Sequence, residues 1–314
     1  MAHPISLFGT TFQNPVLLAA GTCGFGRELS GVVDLEALGG IVTKSVTRLP
    51  REGNAAPRIT EFGAGMLNSI GLANPGMETV RRDQLPWLAA NLRHARVLVS
   101  VAGHAPDEYP AVVGHLDGAD GFVGFELNLS CPNDSHRGGL PFALDGDALA
   151  GVVEACRRVT DRPLLVKLAP NDPRIADTAR RAADAGADGI TLVNTLPGRV
   201  LRDDGEPVLG AGQGGVSGPV LRPVGLQAVA LVGAAVDLPL VGVGGILTAR
   251  DARAYLHVGA TLVQMGTATF ASPRQPERVA RRLTREGWPV RPDTRPAPVR
   301  DTGAASGATA EVGS

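Results

Sequence analysis

Eight short apolar runs punctuate the chain, at about 16–20, 40–44, 97–101, 123–129, 163–168, 189–193, 239–243 and 262–265. They are continuous rather than alternating, which is how strands buried on both faces read, and helical periodicity fills most of the intervals. Three junctions share a wording, with Gly118-Ala-Asp-Gly, Gly186-Ala-Asp-Gly and Gly259-Ala-Thr each leading into an apolar run. A glycine there suits a left-handed helix C-cap, where a Cβ would clash. Asp172-Pro173 predicts an N-cap followed by Pro at N1, and Gly218-Pro219 predicts a second helix start. Thr248-Ala-Arg-Asp251 predicts a capping box with Asp in the acidic place.

Eight βα units in roughly 265 residues is the size of a (β/α)8 TIM barrel, the α/β fold expected here. An open doubly wound sheet is the alternative, disfavoured because no Gly-x-Gly-x-x-Gly follows the first strand. The first fifteen residues predict a small N-terminal β-hairpin closing the bottom of the barrel. Residues 1–290 are expected to form a single barrel unit. Residues 291–314, rich in Pro, Ala, Gly and Thr, are expected to form a disordered tail. The intervals after strands two, four and six are longer than one helix needs. They carry 45–75, 130–145 and 194–217 to the barrel face where such folds keep their active sites.

Composition narrows the class of function. The chain has 314 residues, 44 % hydrophobic and 19 % charged, with formal net charge −1. That balance offers no whole-molecule attraction to nucleic acid or to an anionic membrane. No apolar stretch reaches the ~18–20 residues needed to span a bilayer, and the N-terminus lacks the basic and apolar regions of a signal peptide. The Arg-rich stretch from Arg278 to Arg285 reads as a solvated helix face. Three cysteines, Cys23, Cys131 and Cys156, show no C-x-x-C spacing, so neither a disulfide framework nor a zinc site is expected and no metal is predicted. A reducing cytoplasm is the expected location.

Polar residues fall at the predicted strand ends: Lys44, Asn128, Lys167 and Asn194-Thr195, with Gly244-Gly245 and Gly266-Thr267 after the last two strands. A strand-end asparagine is commonly only a turn residue. A lysine emerging from a buried strand is costly to desolvate without a partner, so two on one face suggest an anionic or electron-rich ligand. The glycine pairs match the loops that bind phosphate through backbone N–H groups in such barrels, or simply make tight turns. Cys156 reads as a small buried hydrophobe and Cys23 as similar or merely near the site. Cys131 differs, because it follows a strand end, precedes a proline and stands in Asn128-Leu-Ser-Cys-Pro-Asn133. A thiolate there is chemically sensible as a base, since nearby cations lower a thiol pKa. No histidine belongs to the strand-end set, although His136 is close in sequence.

Taken together these residues resemble the dihydroorotate dehydrogenases over about residues 5–285. The stretches that carry the resemblance are Ile41-Val-Thr-Lys-Ser-Val-Thr, Pro57-Arg-Ile, Gly65-Met-Leu-Asn-Ser-Ile-Gly-Leu-Ala-Asn-Pro-Gly76, Asn128-Leu-Ser-Cys-Pro-Asn133, Val166-Lys-Leu-Ala-Pro170 and Gly214-Gly-Val-Ser-Gly218. A Cys at the base position looks like class 1, and the Gly65–Gly76 wording with Gly138-Gly139 looks most like class 1B. The resemblance implies FMN as cofactor, lined by Ala20, Gly21, Lys44, Ser45, Ser100, Asn128, Lys167, Val193, Gly218, Gly244, Gly245, Gly266 and Thr267. It implies a substrate held by Lys44, Asn68, Ser69, Ile70, Gly71, Leu72, Asn128, Asn133, Asn194 and Thr195, with Cys131 as catalytic base.

The reaction implied is oxidation of (S)-dihydroorotate to orotate in pyrimidine biosynthesis. Electrons pass either to NAD+ through a partner subunit carrying FAD and an iron–sulfur cluster, or to fumarate. A homodimer or heterotetramer is the expected assembly. The loop Asp134–Leu144 is the candidate lid. Three places depart from the family pattern: Ser100 where an Asn is usual, Ala20-Gly-Thr-Cys-Gly24, and the loop after Cys131. They leave open a related flavin barrel acting on another dihydropyrimidine. A flavin-free phosphate-binding isomerase or lyase barrel is the other alternative.

Overall fold

A computed structural model describes residues 4–129 and 144–289. Cys131, Asn133, His136, the Gly138-Gly139 pair, residues 134–143 of the candidate lid and the tail expected over 291–314 lie outside the described residues.

The chain opens with an antiparallel hairpin, β1 (Ile5–Leu7) and β2 (Thr10–Phe12). Its two-residue turn has positive φ at both Phe8 and Gly9, the hairpin turn whose twist matches that of the strands. Strands β3 (Val16–Leu18) and β4 (Gly40–Val42) then begin the barrel. An excursion forms β5 (Ile59–Phe62) and β6 (Gly65–Asn68). The barrel continues through β7 (Arg96–Val101), β8 (Gly124–Asn128), β9 (Leu164–Leu168) and β10 (Gly189–Leu192). A second excursion forms β11 (Leu196–Gly198) and β12 (Gly214–Ser217), after which β13 (Leu240–Val243) and β14 (Leu262–Met265) complete the circle.

Eight parallel strands close in chain order, β3-β4-β7-β8-β9-β10-β13-β14, with β14 returning to β3 through Val263 opposite Val16 and Gln264 opposite Leu17. Each of the eight apolar runs holds one barrel strand. Closure explains their lack of alternation, because one face meets helices and the other faces inward. Val99, Phe125, Val166, Ile190 and Val263 pack outward with Val112, Val153, Ala179, Val229 and Leu283 of the surrounding helices. Leu17, Val42, Leu98, Leu165, Val241 and Leu262 point inward and pack on Phe12 of the hairpin. Above this apolar plug the interior turns polar, with Glu126, Lys167, Thr191 and Gln264 all buried.

The expected helix signals hold in most places. Thr248 and Asp251 form a reciprocal capping box at the start of helix Ala249–His257. Gly186 and Gly259 have φ of 100° and 117°. Gly118 does not: its φ is −77°, and the left-handed residue is Gly121, where a Cβ would stand 2.5 Å from the Leu85 carbonyl oxygen. Asp172 is not the N-cap either. Its carboxylate accepts from the Arg174 N–H at 2.8 Å and from the Thr178 hydroxyl at 2.6 Å, a local turn that delays the helix to Ile175–Asp184. Gly218-Pro219 opens a single 3-10 turn, Pro219–Leu221, which runs into helix Arg222–Gly233.

The excursions after the second and sixth barrel strands join each other. They form one antiparallel sheet in the order β11-β12-β6-β5, with Gly215 opposite both Asn68 and Pro197. Both excursions leave from C-terminal strand ends, so this sheet roofs that end of the barrel.

The hairpin plug generates a prediction. Phe12 is fully buried in the lower barrel, so Phe12→Ala is expected to lower unfolding stability by about 3–5 kcal/mol. Urea unfolding followed by circular dichroism checks this, and a midpoint equal to the parent's would show that the hairpin does not seal the barrel.

Candidate active site

A cavity of about 480 Å³ opens between the C-terminal strand ends and the roofing sheet. That volume suits a cofactor or drug-sized ligand. The barrel contributes Ala20 and Gly21 after β3, Lys44 and Ser45 after β4, Asn128 on β8, Lys167 on β9, and Val193, Asn194 and Thr195 after β10. The roof contributes Asn68, Ser69, Ile70, Gly71 and Leu72. Gly244, Gly245, Gly266 and Thr267, just past the C-terminal ends of β13 and β14, line another side together with Gly218 after β12. The structure therefore gathers residues spread from position 20 to position 267 around one space.

Ser100 is placed differently. It is wholly buried and does not line the cavity; its hydroxyl lies 2.8 Å from that of Ser45. Ser45 Oγ in turn accepts from Asn128 Nδ2 at 3.3 Å, and Asn128 Oδ1 accepts from Asn194 Nδ2 at 3.3 Å. A short chain of side chains thus orients two asparagine amides on the cavity wall, with Ser100 as its outermost support. Asn68 is held from the other side, donating to the Gly215 carbonyl at 3.2 Å.

The loop joining the roof to the barrel is held by Asn74. Its Oδ1 accepts from the N–H groups of Thr47 and Gly76, and its Nδ2 donates to Thr47 Oγ1 and the Leu72 carbonyl. Four bonds from one buried amide tie Thr47 to the Leu72–Gly76 stretch, the two ends of this excursion.

The cations of the site are unusual for this chain. Of its 30 Lys and Arg residues only Lys44 and Lys167 are lysines, and both line the cavity. All the others are arginines, whose fork-shaped donor pairs with carboxylates, as Arg253 with Glu286, or with backbone carbonyls, as Arg58 does. A compact ammonium is the choice where a point charge must meet a ligand. Lys167 is 6 % exposed, and Lys44 passes close to Gly21, where a Cβ would stand 3.9 Å from its ammonium nitrogen.

A flat, phosphorylated, electron-accepting cofactor such as FMN fits these walls. Gly245 has φ of 66°, and a Cβ there would stand 2.8 Å from the Gly218 carbonyl oxygen, so only glycine allows these two turns to pack together at the cavity edge. The glycine turns at Gly244, Gly245 and Gly266, beside Thr267, bring main chain without side chains to the cavity wall, which suits a phosphate. Lys167 offers positive charge on the inner wall. Among the described residues no group of three or more His, Cys, Asp or Glu side chains is placed to hold a metal ion. No helix among them is long and apolar enough to cross a membrane.

Residue-level reading of the sequence missed Ser217, Gln213, Pro197 and Phe270, all on the cavity wall. Ser217 Oγ accepts from Thr267 Oγ1 at 2.9 Å and so ties the roof to the end of β14. The β5–β6 hairpin did carry a signal, two short runs separated by Gly63-Ala64. The pairing of β6 with β12 carried none, since it links segments about 150 positions apart.

Comparison with known proteins agrees with this arrangement. The family model described as Dihydroorotate dehydrogenase matches residues 4–286. The dihydroorotate dehydrogenase B (NAD(+)) catalytic subunit of Pelobacter propionicus is 43 % identical over 282 residues, covering 90 % of this chain and 92 % of that one. Its namesake from Desulforudis audaxviator is 46 % identical, covering 86 % of this chain and 87 % of that one. A putative dihydroorotate dehydrogenase A (fumarate) of Solibacter usitatus is also 46 % identical, covering 88 % and 91 %. The crystal structure of an Eimeria tenella DHODH in complex with ferulenol shares the fold at TM-score 0.73, with 22 % identity over 90 % of this chain and 82 % of that chain.

Two of the three cysteines are unfit to act as bases. Burial, aided by the nearby Glu28 charge, pushes the Cys23 thiol up to about 12. Burial alone pushes Cys156 up to about 12, against a small opposing effect of Arg157. Both therefore remain protonated thiols near neutrality. Alkylation of the native protein with iodoacetamide at pH 8 is expected to leave Cys23 and Cys156 unmodified, read by peptide mass mapping. Ready labelling of either one would contradict their assignment as inert core residues.

Proposed function

The chain belongs to the dihydroorotate dehydrogenase family, in its class 1B branch, and from that premise we propose that it oxidises (S)-dihydroorotate to orotate in pyrimidine biosynthesis with FMN as cofactor. The observation that carries this reading is the one cavity where both lysines of the chain, three asparagines and the glycine turns at Gly244, Gly245 and Gly266 meet.

Asn68, Asn128 and Asn194 present amides, each both donor and acceptor, which match the imide edge of a dihydropyrimidine. Lys44 supplies a cation for the substrate carboxylate, and the Ser69–Leu72 backbone closes over the ring. Cys131 is the base. Its support is sequence position, three residues beyond Asn128 on the cavity wall, together with the inert state of the other two thiols. Its thiolate takes the proton from C5, so that a C–H bond breaks and an S–H bond forms. FMN, when bound, supplies at its N5 atom the acceptor for the hydride leaving C6. Gly244, Gly245, Gly266 and Thr267 would hold the cofactor phosphate, and Lys167 would balance negative charge at the pyrimidine edge of its ring. Asn133 would complete the substrate contacts.

Ser100 bears on substrate identity. Because it supports Ser45 from behind rather than facing the cavity, its departure from the family pattern leaves the wall chemistry intact. That favours dihydroorotate over another dihydropyrimidine. The relatives named as NAD(+)-linked catalytic subunits support a partner subunit and NAD+ as final acceptor. FAD and an iron–sulfur cluster on that partner, in a heterotetramer, are what the family resemblance implies, with a homodimer as the alternative. The relative named for fumarate keeps direct transfer to that acceptor as a second reading. A cytoplasmic location goes with this chemistry.

The purified protein is expected to be yellow and to bleach on anaerobic addition of dihydroorotate. Colourless protein would overturn the cofactor assignment, and yellow protein that stays yellow would overturn the substrate. Cys131→Ser is expected to slow that bleaching by about 10²-fold or more, since positioned general bases contribute on that scale. Its rate should also continue to climb at higher pH, because a hydroxyl holds its proton more tightly than a thiol. A stopped-flow pH profile identical to the parent's would remove Cys131 from the mechanism.

A further inference from the structure

Glu126 has no solvent-exposed surface, yet it stands inside the barrel directly below the cavity. Its carboxylate accepts from Thr191 Oγ1 at 2.9 Å and from Gln264 Nε2 at 2.6 Å, and faces Lys167 Nζ at 3.5 Å. These partners come from three different strands, β10, β14 and β9. Lys167 alone among them reaches the cavity wall.

Stability does not account for a charge in this place. Desolvating an ion pair offsets most of its attraction, and apolar residues of similar volume fill a core at least as well. The barrel does just that one layer lower, with Leu17, Leu98, Leu165 and Val241. What an apolar filling cannot do is direct a lysine. Its ammonium is a point charge on a flexible four-carbon stem, with no fork to set its direction. Glu126 supplies a fixed counter-charge, and the bonds from Thr191 and Gln264 hold that counter-charge from the far side.

We propose that Glu126 is a positioning residue, which fixes the Lys167 ammonium on the inner wall so that it meets the bound flavin at one point. The inference rests on FMN being the occupant, and Glu126 itself touches neither cofactor nor substrate. Glu126 acts through Lys167, so its contribution depends on that lysine being present.

The test is a double-mutant cycle on the flavin-loaded protein, read by the fluorescence of FMN released on dilution. Glu126→Gln keeps the volume and an acceptor for Gln264. It is expected to weaken FMN retention about tenfold, the size of a coupling between contacting groups. In a Lys167→Met background the same substitution is expected to change nothing further. An equal loss in both backgrounds would mean that Glu126 acts through the barrel wall, and no loss in either would mean that it does not act at all. Either result overturns the proposal.

A second readout does not need the flavin. Because the chain has two lysines, protein made with isotopically labelled lysine gives two side-chain signals by NMR, assigned by the loss of one in Lys167→Met. Glu126→Gln must move the Lys167 signal, and an unmoved signal overturns the positioning role. If Glu126→Gln does not fold, Thr191→Val removes one bond that holds the carboxylate and must move the same signal. Colourless protein would end the FMN reading alone, because the lysine signals in that protein still decide whether Glu126 anchors Lys167.

Discussion

Closing eight parallel strands on themselves buries both faces of each, and the space inside must be filled by the few side chains that point inward. This chain fills it in two ways. The lower half is apolar and sealed by Phe12 of the hairpin. The upper half is a buried polar cluster around Glu126. The step between them fixes the depth of the cavity and the height at which Lys167 emerges. A polar cluster at that height is tolerable only because its donors and acceptors are largely matched; among the described residues Gln264 Oε1 is one of three buried side-chain atoms left without a partner.

From that floor the site is assembled by topology. Each strand of the barrel ends at the same face, so side chains that are far apart in sequence arrive together without any local motif. The roofing sheet then brings Asn68 and the Ser69–Leu72 stretch over the opening. Its own strands are three or four residues long and would be marginal alone. They persist because the excursions that carry β6 and β12 rise from opposite sides of one rigid barrel and meet over its mouth, and because Asn74 and the Thr267–Ser217 bond tie them to it. Catalytic chemistry on this face thus depends on the stability of the barrel beneath.

The charge pattern follows the same logic. Arginines pair with carboxylates across the outer helices, as Arg281 does with Asp34 and Arg253 with Glu286. These partly exposed pairs contribute little individually. The two lysines are kept for the interior, where a compact charge can approach a ligand closely. Uniform use of Arg outside makes the lysines legible, and that signal lay in the composition all along.

What the sequence determined by itself was the repeating unit and the chemistry at its ends. Continuous apolar runs, glycine caps such as Gly186 and Gly259, and the Thr248–Asp251 box are local signals that hold where they stand. Polar residues placed just past a buried strand were equally legible, because strand ends in this fold share a face. Errors arose where a nearby side chain overrode the local rule, as with the turn that Asp172 makes around Arg174. Tertiary structure alone decided what only distance in sequence hides: the pairing of β6 with β12, the retreat of Ser100 behind Ser45, and the place of Glu126 under Lys167. Glu126 lies on a strand that reads as apolar and sits two residues before Asn128, with nothing local to explain it. Its partners come from strands 41, 65 and 138 positions away. Only barrel closure brings them within hydrogen-bonding distance.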